Sequence, residues 1–218
     1  MAYQNIIFDW DGVLVQTPEI WIDSIATAGR EFGLTFTPSQ IRLQSADFSK
    51  AMEHGLPKEL FKAYDERIHE LADQRLGGAP LYAGAAEMLR ELRNNGKKLA
   101  ILSSGLNARE EIRRKHLEHF FEFIISGKDV TKRKPDPEGV LKALELLNAG
   151  KPDSVFVGDA WTDLKAAGTA GIPSVLYYPS GHSKIYDFEE LMSNSPTYVV
   201  TNHAQLLKLL LTGPGNQK

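Results

Sequence analysis

Short apolar runs alternate along most of the chain with longer segments in which apolar residues recur at helical spacing. A short apolar run without alternation is typical of a strand that is buried on both faces. Strands are predicted at residues 6–8, 98–103, 123–125, 154–158, 173–177 and 198–200. Helices are predicted between them, at residues 84–95, 107–116, 137–147, 163–170, 189–192 and 204–211. Repeated strand–helix units of this length favour an α/β fold, with a Rossmann-like parallel sheet and helices on both of its faces.

Residues 17–79 interrupt this alternation because they carry helical patterns and no strand signal. Apolar residues recur there at helical spacing in three segments, the last of which follows Pro57. The run Gly77–Pro80 then breaks the pattern. We therefore expect two domains, an α/β core at residues 1–16 and 80–218 and a small all-helical cap domain at residues 17–79.

Composition narrows the possible partners. The 218 residues include 25 basic and 28 acidic side chains, which gives a net charge of −3, and no cysteine. This balance gives no support for a nucleic-acid or membrane-surface partner, and disulfides and thiolate metal sites are excluded. No apolar run approaches the length of a membrane span, and the chain enters its first strand almost at once. We expect a cytoplasmic protein without a membrane partner, as a monomer or a weak homodimer.

Two acidic residues follow the first predicted strand. Asp9 and Asp11 are one residue apart, and Gly12 comes next. In parallel α/β sheets, ligands bind at the carboxyl ends of the strands. Two like charges so close together are costly unless a cation lies between them, and Mg²⁺ with oxygen ligands fits best. The alternative is a plain turn made by aspartate and glycine.

Three later motifs also place polar side chains after strands. Ser103 and Ser104 precede a glycine and can hold phosphoryl oxygens, or they form only a turn. Lys134 precedes a proline and can neutralise a phosphate, or it belongs to a solvated basic run. Asp159 and Asp163 are four residues apart at a helix start. They can face one place, or they act as a helix cap and a first-turn acid.

Together and in this order, the four motifs resemble those of the haloacid dehalogenase superfamily, whose members are mostly phosphatases. The resemblance covers nearly the whole chain, including a helical cap after the first motif, and it is nearest to the branch with phosphoglycolate phosphatase and β-phosphoglucomutase. It implies that Asp9 is the nucleophile, which forms an aspartyl-phosphate, and that Asp11 is the general acid and base. Ser103 and Lys134 complete the catalytic set that the resemblance implies.

The same resemblance implies the binding groups. Trp10 and Ser104 would hold phosphoryl oxygens through main-chain N–H groups, and Gly12 belongs to the same substrate-binding set. The cofactor would be Mg²⁺, with waters completing its octahedron. Its implied ligands are the acidic residues of the first and last motifs: Asp9, Asp11 through its carbonyl, Asp159 and, in a supporting role, Asp163.

We predict a Mg²⁺-dependent phosphatase that hydrolyses a small phosphorylated metabolite, similar to phosphoglycolate or to a sugar phosphate. One alternative is a phosphomutase of a sugar phosphate, although Trp21 stands where the sugar mutases carry a cap histidine. Another alternative is a catalytically silent binding protein on the same fold. Dehalogenation is disfavoured because the dehalogenases lack the second acid, which is Asp11 in this chain.

A polar stretch of the cap, residues 44–50, lies outside any helical stripe. Its polar side chains are Gln44, Ser45, Asp47, Ser49 and Lys50, and Arg42 lies just before it. The two cations, Arg42 and Lys50, would favour binding of a leaving group with a second anionic group. The alternative is an ordinary solvated loop. Outside the cap, His182 follows a strand end, and we interpret it as a surface-loop residue rather than as a group that lines the site.

Overall fold

The computed structural model describes residues 2–46 and 48–213. The chain forms two compact units, one made of the chain up to Val15 and from Leu81 on, the other of Gln16–Pro80. Val15 pairs with Leu81 in an antiparallel bridge, and the N–H of Gln16 donates to the carbonyl of Pro80 at 2.9 Å. The two points at which the chain passes from one unit to the other are therefore neighbours.

The first unit is built on a six-stranded parallel sheet with the strand order β3-β2-β1-β4-β5-β6. The strands are β1 (Asn5–Phe8), β2 (Lys98–Leu102), β3 (Phe123–Ile125), β4 (Ser154–Gly158), β5 (Ser174–Tyr177) and β6 (Tyr198–Val200). Every residue of β1 and β4 is buried, so both faces of the sheet centre are covered. The predicted α/β fold with a parallel sheet is confirmed.

Within the described residues, six α-helices connect and flank these strands. They are α5 (Ala85–Asn94), α6 (Ala108–Arg114), α7 (Glu138–Leu147), α8 (Trp161–Ala170), α9 (Phe188–Met192) and α10 (His203–Thr212), and the four helices that precede them in sequence belong to the other unit. Apolar residues of α7 and α8 pack with Ile7 and Phe156 from the two central strands. Among the described residues, no helix is both long and apolar enough to cross a bilayer.

The second unit is entirely helical over its described residues. Its helices are α1 (Pro18–Glu31), α2 (Pro38–Ala46), α3 (Lys50–Glu53) and α4 (Phe61–Leu76). Its core includes Ile25 and Ala28 from α1 together with Tyr64 and Ile68 from α4. These residues are spaced three or four apart on each helix, which is the spacing that places them on one face.

The polar stretch at residues 44–50 differs from its prediction as a loop outside any helical stripe. Helix α2 continues through Gln44 to Ala46, and Asp47 lies outside the described residues. The Gln44 side chain is buried, and its Oε1 accepts a hydrogen bond from the Tyr64 hydroxyl at 2.6 Å. That hydrogen bond makes it possible to bury a polar side chain in an apolar core. The prediction of a polar loop outside the helices is therefore wrong for Gln44, which is a buried residue of α2.

Candidate active site

The first and last motifs lie on adjacent strands, because β1 pairs with β4 at the point where the strand order reverses. Phe8 is in register with Val157, so Asp9 and Asp159 leave the sheet at the same edge, one residue apart in register. A crevice at such a reversal point, outside the carboxyl ends of the strands, is where ligands bind in open α/β sheets. This topology brings together two acids that are 150 residues apart in sequence.

Lys134 joins these acids through two ion pairs. Its Nζ lies 2.9 Å from Asp9 Oδ1 and 2.6 Å from Asp163 Oδ1, and all three side chains are buried. Burial by itself lowers the pKa of Lys134, but the carboxylates of Asp163 and Asp9 outweigh this effect and raise it above its ordinary value. Lys134 is therefore a permanent positive charge inside the site, and the prediction of a solvated basic run does not describe it.

Three buried carboxylates share this single ammonium group. Oxygen atoms of Asp9, Asp159 and Asp163 lie within 4.8 Å of one another. Burial raises the pKa of both Asp9 and Asp159, and the neighbouring carboxylates raise it further. Among the described residues, Asp159 Oδ2 has no hydrogen-bond partner. Hard oxygen donors with excess negative charge and an unpartnered oxygen fit a divalent cation such as Mg²⁺.

Asp163 links the turn after β4 to Lys134. Its Oδ2 accepts hydrogen bonds from the main-chain N–H groups of Asp159 at 3.1 Å and Ala160 at 3.0 Å, while Oδ1 faces Lys134. A Cβ at Gly158 would lie 2.3 Å from the Cβ of Asp163, so only glycine permits this close approach. The carboxylate thus fixes both the turn after β4 and the lysine.

Gly12 brings the loop after β1 against the carboxylate of Asp159. Its φ is +72°, and a Cβ built there would lie 1.9 Å from Asp159 Oδ2. Any side chain at this position would therefore collide with the acid. The Asp11 carboxylate lies near the loop after β2, since Asp11 Oδ2 is 3.8 Å from where a Cβ of Gly105 would be.

The predicted phosphoryl-binding residues occupy the loops after β1 and β2. The N–H of Trp10 donates to Asp9 Oδ1 at 2.8 Å, and the buried Ser103 Oγ accepts from the N–H of Gly105 at 3.0 Å. Ser104 is half-buried beside them. These bonds order both loops at the end of the sheet where the acids lie.

Glu111 is a site residue that the sequence reasoning missed. This buried acid of α6 accepts a hydrogen bond from the Trp10 indole N–H at 3.1 Å, and Trp10 itself is fully buried. The indole between the two acids of the first motif is thereby tied to a neighbouring helix. Its only sequence signal is an acid on the inward side of a highly charged predicted helix.

His182 was predicted to be a surface-loop residue, and the structure corrects this. It is 1% exposed, its Nε2 lies 2.8 Å from the Tyr82 hydroxyl, and its Nδ1 lies 3.9 Å from Asp159 Oδ2. A five-residue turn after β5, Ser180–Lys184, folds the histidine back among aromatic rings. Burial raises the pKa of Asp159, and the Tyr186 side chain lowers it by a smaller amount.

The predicted cap residues lie in the helical unit. Arg42 is half-buried in α2, and Lys50 Nζ forms an ion pair with Glu53 Oε1 at 2.7 Å. Trp21 packs in the core of this unit, with its ring 6.0 Å from Phe48 and 5.6 Å from His69.

Comparison with known proteins identifies the family of this chain. Residues 6–177 match the family model described as haloacid dehalogenase-like hydrolase. The chain is 28% identical over 221 residues to pyrophosphatase PpaX of Bacillus mycoides, with 96% of this chain and 98% of that protein covered. It is 27% identical over 214 residues to phosphoglycolate phosphatase of Aquifex aeolicus, with 94% and 95% covered. A crystal structure from Lactobacillus plantarum superposes with a TM-score of 0.84 at 22% identity, with 96% of this chain and 100% of that chain covered.

Proposed function

We propose that this chain, which belongs to the haloacid dehalogenase-like hydrolase family, is a Mg²⁺-dependent phosphatase of a small phosphorylated metabolite. The observation that carries the proposal is the buried set of Asp9, Lys134, Asp159 and Asp163 at one end of the sheet. The names of two relatives, a pyrophosphatase and a phosphoglycolate phosphatase, support a small phosphorylated substrate. The family itself was predicted from the motif residues, and that prediction is confirmed.

Asp9 is the proposed nucleophile. Its carboxylate oxygen forms a bond to phosphorus while the bond from phosphorus to the leaving oxygen breaks, which gives an aspartyl-phosphate. Asp11 donates a proton to the leaving oxygen and then accepts one from the water that attacks phosphorus. The second displacement regenerates the Asp9 carboxylate and releases inorganic phosphate. Lys134 holds Asp9 in place and balances negative charge, while Ser103 and nearby N–H groups bind the phosphoryl oxygens.

The proposed metal ligands are the carboxylates of Asp9 and Asp159 with the main-chain carbonyl of Asp11. When bound, Mg²⁺ would neutralise phosphoryl charge and orient the group for in-line displacement. Asp163 already accepts two main-chain N–H bonds and faces Lys134, whereas Asp159 Oδ2 has no hydrogen-bond partner within the described part of the chain. Of the two acids in the last motif, Asp159 is therefore the one whose carboxylate is available to bind the cation.

The function is tested by incubating the protein with Mg²⁺ and a panel of phosphorylated metabolites and measuring released phosphate. The panel includes pyrophosphate, phosphoglycolate and β-glucose 1-phosphate with a trace of the bisphosphate. We expect Mg²⁺-dependent release of phosphate from at least one compound. Formation of glucose 6-phosphate without release would favour the phosphomutase alternative, and no reaction with any compound would favour the silent binding protein.

Removal of the metal is expected to abolish activity, and Asp159 is expected to contribute more to metal binding than Asp163. EDTA should stop turnover and excess Mg²⁺ should restore it. In calorimetric titrations, Asp159→Ala should weaken Mg²⁺ binding by at least about tenfold. Asp163→Ala should instead lower the free energy of unfolding by about 3–5 kcal/mol, because it removes a buried partner of Lys134 and the acceptor of two main-chain N–H groups.

These two alanine variants serve as controls for each other. Equal Mg²⁺ affinity in the wild type and in Asp159→Ala would contradict the ligand assignment. A larger loss of affinity in Asp163→Ala would reverse the two roles.

The helical unit is proposed to select the leaving group, with Arg42 and Lys50 as its candidate anion-binding residues. Because Lys50 already pairs with Glu53, we expect Arg42→Ala to lower kcat/KM for an anionic metabolite more than Lys50→Ala does. The kcat/KM for p-nitrophenyl phosphate should change little in either variant, because that ester lacks a second anionic group. Lys62→Ala is the matched control, since its side chain is 89% exposed on α4. Equal effects on both substrates would argue against a role for these cations in recognition.

A further inference from the structure

Two buried polar atoms that face each other at the edge of the candidate site lack a hydrogen-bond partner among the described residues. They are Asp159 Oδ2 and His182 Nδ1, which lie 3.9 Å apart. The two residues are 3% and 1% exposed, so bulk water does not satisfy either atom. A shift of about 1 Å would bring the pair to an ordinary N–H···O distance of about 2.9 Å.

The other ring nitrogen determines what His182 presents to the acid. Its Nε2 lies 2.8 Å from the Tyr82 hydroxyl, which can donate a proton to it. In a neutral imidazole one ring nitrogen carries the proton and the other accepts a hydrogen bond. If Tyr82 donates to Nε2, that proton lies on Nδ1 and points to Asp159. The opposite tautomer would set a lone pair of Nδ1 against the negative carboxylate.

The segment after β5 holds the ring in this place. The main-chain N–H of His182 donates to the carbonyl of Pro179 at 2.9 Å. The His182 carbonyl accepts from the main-chain N–H groups of Ile185 at 2.9 Å and Tyr186 at 2.8 Å. These bonds close the turn that carries the histidine. The turn therefore fixes the histidine ring that faces Asp159.

We propose that His182 is a positioning residue, which donates from Nδ1 to one lone pair of Asp159 Oδ2 and orients the carboxylate so that its remaining lone pairs face a divalent cation. The inference rests on the proposed function, in which Asp159 is a metal ligand. Groups that hydrogen-bond to metal ligands fix their orientation, and losing one typically costs about 10- to 100-fold in metal affinity. The aromatic turn after β5 would thus act on the chemistry without touching the substrate.

Two amide substitutions distinguish the effect of losing the Nδ1 hydrogen-bond donor from the effect of losing the imidazole ring. In His182→Asn the amide nitrogen can occupy the place of Nδ1, whereas in His182→Gln it reaches the place of Nε2 instead. Titration calorimetry of Mg²⁺ into the substrate-free protein should show at least about tenfold weaker binding for His182→Gln. His182→Asn should stay within about threefold of the wild type, because it keeps the donor. Saturating Mg²⁺ should restore most of the kcat of His182→Gln.

Equal losses of affinity in the two variants, or unchanged affinity in His182→Gln, would overturn the proposal. If either variant fails to fold, the wild type decides: a long-range ¹H–¹⁵N spectrum should show the His182 proton on Nδ1, and a proton on Nε2 would overturn the proposal. Absence of Mg²⁺ binding in the wild type would instead contradict the metal requirement of the proposed function. The two failures are therefore distinguishable.

Discussion

Replacing Asp9 with asparagine is expected to lower phosphatase turnover by at least about four orders of magnitude. The amide keeps the size of the side chain but cannot form the acyl-phosphate bond. Asp9 is buried and paired with Lys134 at 2.9 Å, so the substitution removes the charged nucleophile from an enclosed site. Released phosphate, measured under saturating Mg²⁺ and substrate, gives the comparison.

The control for this substitution is Asp23→Asn. Asp23 is an exposed acid of α1 that pairs with Arg75, so its loss should leave turnover unchanged. Thermal unfolding of both variants establishes that each is folded. Turnover of Asp9→Asn within tenfold of the wild type would rule out covalent catalysis by Asp9.

Replacing Lys134 with methionine should damage both activity and stability. Methionine keeps the length of the side chain but removes the charge that lies between Asp9 and Asp163. Removing one partner of a buried ion pair costs about 3–5 kcal/mol, because the other charges remain buried. Turnover should fall by about two to three orders of magnitude, since a preorganised positive group is lost from the site. Urea unfolding and phosphate release measure the two effects.

Lys132→Met provides a matched control in the same basic run. The Lys132 side chain is 72% exposed and lies 3.8 Å from Asp136, so its loss should change neither stability nor turnover appreciably. If Lys134→Met and Lys132→Met had the same stability and turnover, the proposed role of Lys134 in the site would be contradicted. Added Mg²⁺ should recover part of the stability of Lys134→Met, because a cation can neutralise the same carboxylates.

The central acids could be predicted from the sequence because their positions depend on strands. Ile6–Phe8 and Val155–Val157 are apolar runs that must be buried. Asp9 follows the first run directly, and Asp159 follows the second after one glycine. Once both strands join one parallel sheet, Asp9 and Asp159 must leave it at the same edge. Lys134 depends on loop geometry, and its placement came from the order of the motifs rather than from a periodic pattern.

His182 and Gln44 could not be predicted in the same way. His182 lies in an irregular turn, and no hydrophobic period reports that the turn folds back to Asp159. Gln44 is polar but buried, and its side-chain oxygen accepts a hydrogen bond from the Tyr64 hydroxyl, which lies twenty residues later in the chain. In both cases the deciding contact is a single polar pair between segments, which composition and spacing do not encode.

The chain passes between the two units at Val15–Gln16 and at Pro80–Leu81, and these two points are neighbours. The helical unit can therefore be replaced as a single segment. Its two ends are tied together by main-chain bonds, so a replacement of different length would meet the same two anchor points at little extra entropic cost. Recombination at these points could substitute one helical segment for another while β1 keeps its place between β2 and β4. Under the proposed function, the residues that select the substrate and those that act on the phosphoryl group would then evolve on separate stretches of the gene.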